Sequence, residues 1–354
     1  MSNYSDIRLC KYLKENELNS MPTEVLLNVF QNLESKDLRH LRLANQRIKN
    51  IIDGFSEFDS KFVTKKSSRF TISYNSDQKV FEMRSVKYGS QTPVKALTFS
   101  QEDAKNGKNF DFIFRFLSIS RLQFENIPKG FLDDNVMNYL LNHFMFCRRF
   151  LIINLSFHKC DMRNLSSFSM KQLLKYCRND LKQFSLKDVW NAREDTFTDE
   201  HIRILNLSKI ISLQITKISM KPGHKYLKIT DSFFYQLIAA NSFPALMLQL
   251  CLVSTTGLAS YLKKWIKVHD TDSFSNLTCT LNECPGLSKN DLINECEDLP
   301  IQISNNNEYF ISIFIEEHPM NIFCINFGGA ENSKQLNFSF AANPKSIKVN
   351  SKQK

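Results

Sequence analysis

Two apolar stretches with helical spacing open the chain. In the first, apolar residues recur at i, i+3, i+4 and i+7: Leu26, Val29, Phe30 and Leu33. This spacing predicts a helix with one apolar side, and Pro22 stands where the first turn of a helix needs no N–H donor. Ser35 is the predicted N-cap of a second helix, with Asp37 favourably placed in its first turn.

The second helix is also predicted to be amphipathic. Its apolar side is formed by Leu38, Leu41, Ala44, Ile48 and Ile51, and its polar side by Arg39, Arg42, Asn45 and Lys49. Two helices of this length cannot bury both of their sides, so their apolar stripe packs on the rest of the chain, on a partner, or on both. The alternative is an ordinary helical hairpin at the start of a larger domain.

A degenerate repeat follows the helices. Its frame is apolar–x–x–apolar–x–apolar, and it begins at Val94, Ile119, Phe150, Leu181, Ile210, Ala245 and Phe274. Stretches with helical spacing separate the frames, among them FLDDNVMNYLLNHF, SSFSMKQLLKYC and TDSFFYQLIAA. One strand and one helix per unit predict an α/β fold, a leucine-rich-repeat-like solenoid without the Asn of the standard consensus. The alternative is an ordinary α/β domain with half-exposed strands.

One position of each frame is always polar and uncharged. It lies between the last two apolar residues, and its occupants are Thr98, Gln123, Asn154, Ser185, Gln214, Gln249 and Thr278. In a strand, such a residue points away from the core. We therefore predict a ladder along the concave face, and the residues from Gln123 onward are the candidate substrate contacts.

The remaining segments complete a predicted domain plan. Alternation with period two over residues 310–323 predicts two or three antiparallel strands that close the last repeat. The predicted units are residues 16–60 (helical domain), 61–90 (linker or N-terminal hairpin), 91–300 (repeats), 301–343 (β cap) and 344–354 (basic disordered tail).

The N-terminal helices carry an ordered set of family residues. These are Met21-Pro22-Thr23-Glu24, the pairs Val25-Leu26 and Val29-Phe30, Leu33, Asp37-Leu38, and Leu41-Arg42-Leu43-Ala44-Asn45 with Ile48. The segment resembles an F-box, the helical module that docks on the Skp adaptor of cullin-based ubiquitin ligases. Many members carry Trp where this chain has Ile48.

The resemblance implies a function and a set of contacts. The chain would be the substrate-recognition subunit of a Skp–cullin–F-box ligase, a non-catalytic adaptor that reaches the cullin through the Skp protein and binds a protein target through its repeats. The implied adaptor-binding residues are Met21, Pro22, Glu24, Leu26, Val29, Phe30, Leu33, Leu38 and Leu41. A protein-binding scaffold outside any ligase is the alternative.

A second resemblance concerns residues 188–282. Trp190, the stretch TFTDEHIRILNLSKIISLQI, and LKKWIK followed by FSNLTCTL resemble the F-box-associated domain of the expanded nematode F-box families. In those families the two domains occur together, so this resemblance supports the first.

Charge and candidate chemistry narrow the partners. The net charge of +10 suits nucleic acid or an acidic protein, but the basic clusters are short, so an RNA-binding scaffold ranks third. Nine cysteines without a CxxC pair predict buried thiols in a reducing compartment. We find no phosphate-binding glycine loop, no nucleophile motif and no metal pattern, so we expect no enzyme, cofactor, metal or small-molecule substrate.

The expected location follows from the absence of targeting signals. We see no signal peptide and no apolar run long enough to span a membrane, so we expect a cytoplasmic protein, with the nucleus as a further compartment.

Overall fold

The computed structural model describes most of the chain in segments. These are residues 20–33, 35–55, 65–87, 93–110, 114, 117–145, 147, 149–269, 276–299, 301–307, 310–315 and 322–327. The fold combines three N-terminal helices with a large sheet, a second sheet of two strands, and further helices that alternate with the strands.

Three helices form the N-terminal unit: α1 (Thr23–Gln31), α2 (Ser35–Ala44) and α3 (Gln46–Phe55). The prediction of two helices is therefore wrong, because the second divides at Asn45. The Asn45 side-chain oxygen accepts the N–H groups of Arg47 at 2.8 Å and Ile48 at 3.4 Å. Asn45 thus caps a separate third helix, as an N-cap side chain does when it satisfies the first free donors.

The large sheet has twelve strands. In chain order the strands are β1 (Lys65–Asn75), β2 (Val80–Lys87), β3 (Pro93–Phe99), β4 (Leu117–Ile127), β5 (Arg149–Cys160), β6 (Gln183–Lys187), β7 (Ser212–Thr216), β9 (Ala245–Gln249), β11 (Asn276–Asn282), β12 (Ile301–Asn307), β13 (Phe310–Ile315) and β14 (Ile322–Asn326). Two further strands, β8 (Leu227–Thr230) and β10 (Cys251–Leu252), pair with each other.

The strand order across the large sheet is β12-β13-β14-β11-β9-β7-β6-β5-β4-β1-β2-β3. Pairing is parallel from β1 through β4, β5, β6, β7, β9 and β11 to β14, and antiparallel at both ends. From β4 to β11 the strands of this sheet are neighbours in chain order.

Helices accompany the parallel strands. They are α4 (Gln101–Lys105), α5 (Asp134–Phe144), α6 (Ser167–Cys177), α7 (Asp199–Ile204), α8 (Asp231–Ala239), α9 (Thr255–His269) and α10 (Lys289–Glu295). Each contacts the next in the series. The helical spacing of the sequence therefore predicted α5 to α10 correctly, whereas α4 was not predicted. A short 3-10 turn, Leu207–Lys209, follows α7.

A left-handed residue recurs where the strands leave the sheet. Six non-glycine residues with φ between 53° and 56° occupy this corner: Asn126, Lys159, Asp188, Lys217, Leu250 and Glu283. The next residue is buried in every case: Ile127, Cys160, Val189, Ile218, Cys251 and Cys284. In the three cysteine units, the thiol donates to the carbonyl two residues earlier at 3.4 Å. The unit thus repeats in backbone conformation although its sequence is degenerate.

Hydrogen bonds tie the start of one helix to the start of the next. A side-chain oxygen at the first helical residue accepts the backbone N–H of the next helix's cap at 2.7 to 3.1 Å. The pairs are Asp134 with Ser166, Asp199 with Thr230, Asp231 with Ser254, and Thr255 with Ser288. Each bond satisfies a donor that the helix itself leaves free and joins two units.

The two ends of the large sheet differ in part from the sequence predictions. The first predicted frame, with Val94, lies in β3, which pairs only with β2 and is antiparallel. Residues 65–87 form the hairpin of β1 and β2, and β1 also joins the parallel series through β4. At the other end, β13 and β14 are antiparallel as predicted, whereas β14 is also parallel to β11, and β12 lies before the predicted alternation. Residues 344–354, the predicted tail, lie outside the described residues.

Candidate functional site

The N-terminal helices expose an apolar surface on α1. Val25 and Val29 lie one turn apart, and their exposed fractions are 44% and 45%. Pro22 and Glu24 are exposed at the start of the same helix. The guanidinium of Arg47 on α3 donates to the carbonyl of Met21 at 2.7 Å, which fixes the entry segment against the third helix. An apolar patch held this rigidly suits a protein partner.

Three predicted contact residues are not on this surface. Leu26, Phe30 and Leu38 are at most 1% exposed and form, with Ile48 and Ile52, a core of their own. The predicted open stripe is therefore wrong at these three positions, because the third helix covers it. The other predicted contacts, Met21, Leu33 and Leu41, are half-buried at the edge of this core.

The sheet face that points away from the helices carries three of the predicted ladder residues in one row. Strand register aligns Gln123 with Ser156, Ser185 and Gln214, and the row continues through Met247 and Thr280. The Ser185 hydroxyl donates to the side-chain oxygen of Gln214 at 3.2 Å. The sequence missed Ser156, Met247 and Thr280, although Ser156 lies between two buried residues just as Gln123 does.

The other ladder residues lie in different rows. Asn154 aligns with Gln183, to which its amide donates at 2.6 Å, because β5 contains a register shift opposite residues 119–121 of β4. Gln249 lies two residues past Met247, accepts the N–H of Ile218 at 3.1 Å, and donates to Glu283. Thr278 lies two residues before Thr280. The prediction that all seven residues form one ladder is therefore wrong.

Thr98 also leaves the ladder, since it pairs with Glu82 at the antiparallel edge. Glu82 is buried, and the side-chain amide of Asn75 donates to it at 2.7 Å. That hydrogen bond and an ion pair with Arg84 lower the pKa of Glu82, so the carboxylate is charged at neutral pH.

Basic side chains occupy the same face at the β1–β4 end. The register of β1 and β4 aligns Ser67 with Ile119 and Phe70 with Leu122, so Arg69 lies directly beside Arg121. Both arginines are exposed. Arg84 lies opposite Thr71 on the next strand. The sequence did not reveal this arginine cluster, because Arg69 and Arg84 are 15 residues apart along the chain and Arg84 and Arg121 are 37 residues apart.

A polar network lies where β4, β5 and β6 end. The ring nitrogens of His158 lie 3.6 Å from a carboxylate oxygen of Glu125 and 3.3 Å from one of Asp188. The ammonium of Lys217 lies 3.8 Å from the other oxygen of Asp188. The network joins four neighbouring units in one line.

A groove of about 620 Å³ lies at the opposite edge, where β5, β6 and β7 begin. Three exposed aliphatic residues line it: Leu151, Ile153 and Ile211. The charged lining residues are Asp180, Lys182 and Lys209, with Ser208 beside them. The repeat frame assigned Ile153 to the core, but Ile152 is the buried residue. We call this feature the rim groove.

Two buried thiols of the repeats are held in their protonated form. Burial raises the pKa of the Cys160 thiol to about 12 and that of Cys296 to about 11, so both are protonated and poor nucleophiles at neutral pH. Across the part of the chain that the structure describes, no cluster of His, Cys, Asp or Glu has the arrangement of a metal site. The eight described cysteines are free thiols.

No helix within the described segments is both long and apolar enough to cross a membrane.

The comparison with known protein families identifies the N-terminal helices. A search of curated protein sequences gives no match. Residues 18–59, which include α1, α2 and α3, match the family model of the F-box domain.

Proposed function

We propose that the chain is the substrate-recognition subunit of a Skp–cullin–F-box ubiquitin ligase. The observation that carries the proposal is the F-box match over residues 18–59, which coincides with three helices that have their own core. F-box domains bind Skp-type adaptors, and the exposed valines of α1 provide an apolar surface for such a partner. The adaptor would in turn connect the chain to a cullin.

The proposed adaptor surface consists of the exposed and half-buried residues on and beside α1. They are Met21, Pro22, Glu24, Val25, Val29, Leu33 and Leu41. Leu26, Phe30 and Leu38 support this surface from beneath. The carboxylate of Glu24 also lies in the first turn of α1, where a negative charge is stabilised by the helix dipole.

The proposed target-binding part is the array of parallel strands. Its chain-order pairing, its stacked helices and its six left-handed corners support a solenoid of the leucine-rich-repeat type. The resemblance of residues 188–282 to the nematode F-box-associated domain falls within this array. Gln123, Asn154, Ser185, Gln214, Gln249 and Thr278 remain proposed substrate contacts, now distributed over three rows.

A ligase receptor of this kind needs no catalytic group. It holds a lysine of the target near a thioester carried by another protein, and the rate gain comes from proximity. The alternative scaffold function would use the N-terminal helices as a cap of the repeats. Their separate core favours an independent docking unit instead.

The adaptor assignment is tested by a double substitution, Val25→Asp with Val29→Asp. Both side chains are exposed, so the helices should stay folded, whereas two carboxylates in the interface should lower the affinity for a purified Skp adaptor at least about tenfold. Isothermal titration would measure the affinity and circular dichroism the fold. Phe168→Asp on α6, also an exposed apolar residue, is the matched control. Unchanged adaptor affinity of the double variant contradicts the proposal.

A further inference from the structure

We infer that Cys251 and Cys284 form a site of reversible oxidation, at which a peroxide converts the two thiols into a disulfide. The two cysteines occupy equivalent corners of neighbouring units, where the chain leaves β9 and β11. The inference does not depend on the proposed function, because it rests on the geometry of the repeat array. It is carried by the alignment of the two residues, by the environment that their thiols share and by the exposure of one of them.

Strand register places the two cysteines side by side. Gln249 of β9 pairs with Asn282 of β11, and each cysteine follows two residues later. The intervening residues, Leu250 and Glu283, have φ values of 56° and 53°, so both chains turn in the same way. Parallel neighbours in a sheet lie about 4.8 Å apart, which falls within the Cα separation of about 4.4 to 6.8 Å that a disulfide requires.

Hydrogen bonds between the two units hold this alignment on both sides of the cysteines. Before them, the N–H of Leu250 donates to the carbonyl of Asn282 at 3.1 Å. After them, Ser254 forms a bridge with Gly286, and the carbonyl of Gly286 accepts the N–H of Thr255 at 3.0 Å. The backbone thus keeps the two reacting groups together before any reaction begins, which favours a bond between them.

The two thiols share one environment. Each donates to the carbonyl two residues earlier at 3.4 Å, that of Gln249 for Cys251 and that of Asn282 for Cys284. Because these carbonyls belong to a register pair, both sulfurs lie on the same side of the sheet, and the Cys251 thiol is within hydrogen-bonding reach of the Cys284 sulfur. At this Cα separation, rotation about the side-chain bonds can bring the sulfurs to bonding distance without backbone movement.

The two thiols differ in exposure and in acidity. Cys284 is 8% exposed beside the exposed Glu283 and Pro285, whereas Cys251 is fully buried. The hydrogen bond from the Cys251 thiol lowers the pKa of Cys284, which outweighs the effect of burial, and the backbone N–H of Cys251 lowers it further. Burial instead raises the pKa of Cys251. Cys284 is therefore the thiol that reacts with a peroxide first.

The reaction has two steps and consumes one peroxide molecule. The Cys284 thiolate attacks a peroxide oxygen, so an S–O bond forms, the O–O bond breaks, and the hydroxide that leaves takes up the proton released by Cys284. The Cys251 sulfur then attacks the sulfur of this sulfenic acid; the S–S bond forms, the S–O bond breaks, and the departing hydroxide takes the proton of Cys251. Each sulfur gives up one electron to the peroxide. Thiol–disulfide exchange with a dithiol reverses the reaction, so the disulfide would be transient in a reducing compartment.

Cys160 provides a matched comparison within the same molecule. It follows the left-handed Lys159, and its thiol donates to the carbonyl of His158 at 3.4 Å, as in the other two cysteine corners. Its neighbours at this position in the adjoining units are Ile127 and Val189 rather than cysteines. Burial raises the pKa of this thiol to about 12. A corner cysteine without an adjacent sulfur is therefore unreactive at neutral pH, and the second thiol distinguishes the proposed pair.

Peroxide oxidation of the folded full-length chain tests the inference. The reduced protein is treated with hydrogen peroxide at neutral pH, remaining thiols are blocked with iodoacetamide, and disulfides are located by mass spectrometry of proteolytic peptides. A disulfide between Cys251 and Cys284 should form, with the loss of two hydrogen atoms in mass, and dithiothreitol should restore both thiols. It should form at least about tenfold faster than Cys160 is oxidised, since each unit of pKa difference changes the thiolate fraction about tenfold.

Three serine variants separate the roles of the cysteines. Cys251→Ser should stop the reaction at a sulfenic acid on Cys284, which dimedone traps. Cys284→Ser should leave Cys251 reduced. Cys160→Ser is the matched control and should form the disulfide at the rate of the parent. Circular dichroism before the treatment checks that each variant is folded.

The inference is overturned if Cys251 and Cys284 stay reduced in the folded parent, if their disulfide forms only in urea, or if Cys284→Ser leaves the oxidation of Cys251 unchanged. None of these outcomes bears on adaptor binding, which the substitutions at Val25 and Val29 test separately.

Discussion

At the residue scale, His201 shows how a buried titratable group is kept neutral. The side chain is fully buried in α7. Its Nδ1 accepts the N–H of Thr198 at 3.0 Å, and its Nε2 lies 3.1 Å from the carbonyl of Ser167 in the preceding unit, which requires the proton on Nε2. Burial lowers the pKa of His201 to about 4. His201 thus connects two units through a ring nitrogen, whereas the other helix starts are connected through a side-chain oxygen.

This pKa predicts a loss of stability in mild acid. Above pH 6.5, His201 is neutral in both the folded and the unfolded state, and its contribution to stability is fully present. As the pH falls from 6.5 to 4, only the unfolded state takes up the proton, so the free energy of unfolding should decrease by up to about 3 kcal/mol. Urea unfolding at stepped pH values would measure it.

His201→Gln is the comparison for that measurement, because glutamine keeps a polar side chain but does not titrate. Its unfolding free energy should change less than that of the parent between pH 6.5 and pH 4. Parallel pH profiles for the two proteins would show that other groups dominate this range.

Residue identity alone did not determine which side chains face outwards. On α1, apolar residues occupy both sides, since Val25 and Val29 flank Leu26 and Phe30. The i, i+3, i+4 pattern therefore identified the helix correctly but not its exposed side, which depends on α3. In and just after β9, leucine occupies every second position, at Leu246, Leu248 and Leu250, whereas the frame needs only two such residues. The frame was set two residues too late, and Gln249 was placed in the wrong row.

At the element scale, helices were easier to predict than strand register. The helices from α5 to α10 begin near N-cap residues that the sequence displays, such as Ser166, Thr198 and Ser288. Register depends instead on contacts between distant strands. The register shift of β5 moved Asn154 by one row, and nothing in the local pattern of that strand shows it.

A close approach between two units gives a prediction at this scale. Gly286 forms a bridge with Ser254, and its carbonyl accepts the N–H of Thr255 at 3.0 Å. A methyl group added at Gly286 would lie 2.6 Å from the carbonyl oxygen of Val253. Gly286→Ala should therefore separate the two segments and lower the free energy of unfolding by about 2 kcal/mol.

Urea unfolding of this variant should be compared with that of Asn290→Ala, an exposed substitution on α10. Asn290→Ala should remain within about 0.5 kcal/mol of the parent. Equal stabilities of the two variants would mean that the backbone accommodates the methyl group by a small shift.

At the scale of the whole molecule, the residues that the structure describes form two separate cores. One lies within the three N-terminal helices, and the other runs beneath the sheet from Phe70 to Ile325. The predicted domain plan also places the amphipathic helices and the repeat frame in different units, since they differ in period. It included an N-terminal hairpin as an alternative, but it did not predict that β3 would add a further antiparallel strand or that β1 would join the parallel series.

The separation predicts that the two parts lose structure independently. Phe30 is 1% exposed and central to the N-terminal core, so Phe30→Ala should destabilise that unit by about 3 to 5 kcal/mol. Hydrogen exchange should then show faster exchange in α1 to α3, with unchanged protection in β5 to β9. Faster exchange in both regions would show that the two cores unfold together. Tyr235→Ala, which removes an exposed aromatic side chain on α8, is the matched control.

The regular spacing of the parallel strands has a consequence for how the binding surface would change when a repeat unit is duplicated during evolution. The arginines of β1 and β4 and the rim groove lie a fixed number of strands apart, so the strand spacing fixes the distance between these two features. Duplication of one strand–helix unit between β4 and β5 would increase that distance by about 5 Å, which corresponds to one to two residues of an extended ligand. A duplication beyond β7, outside both features, would leave that distance unchanged.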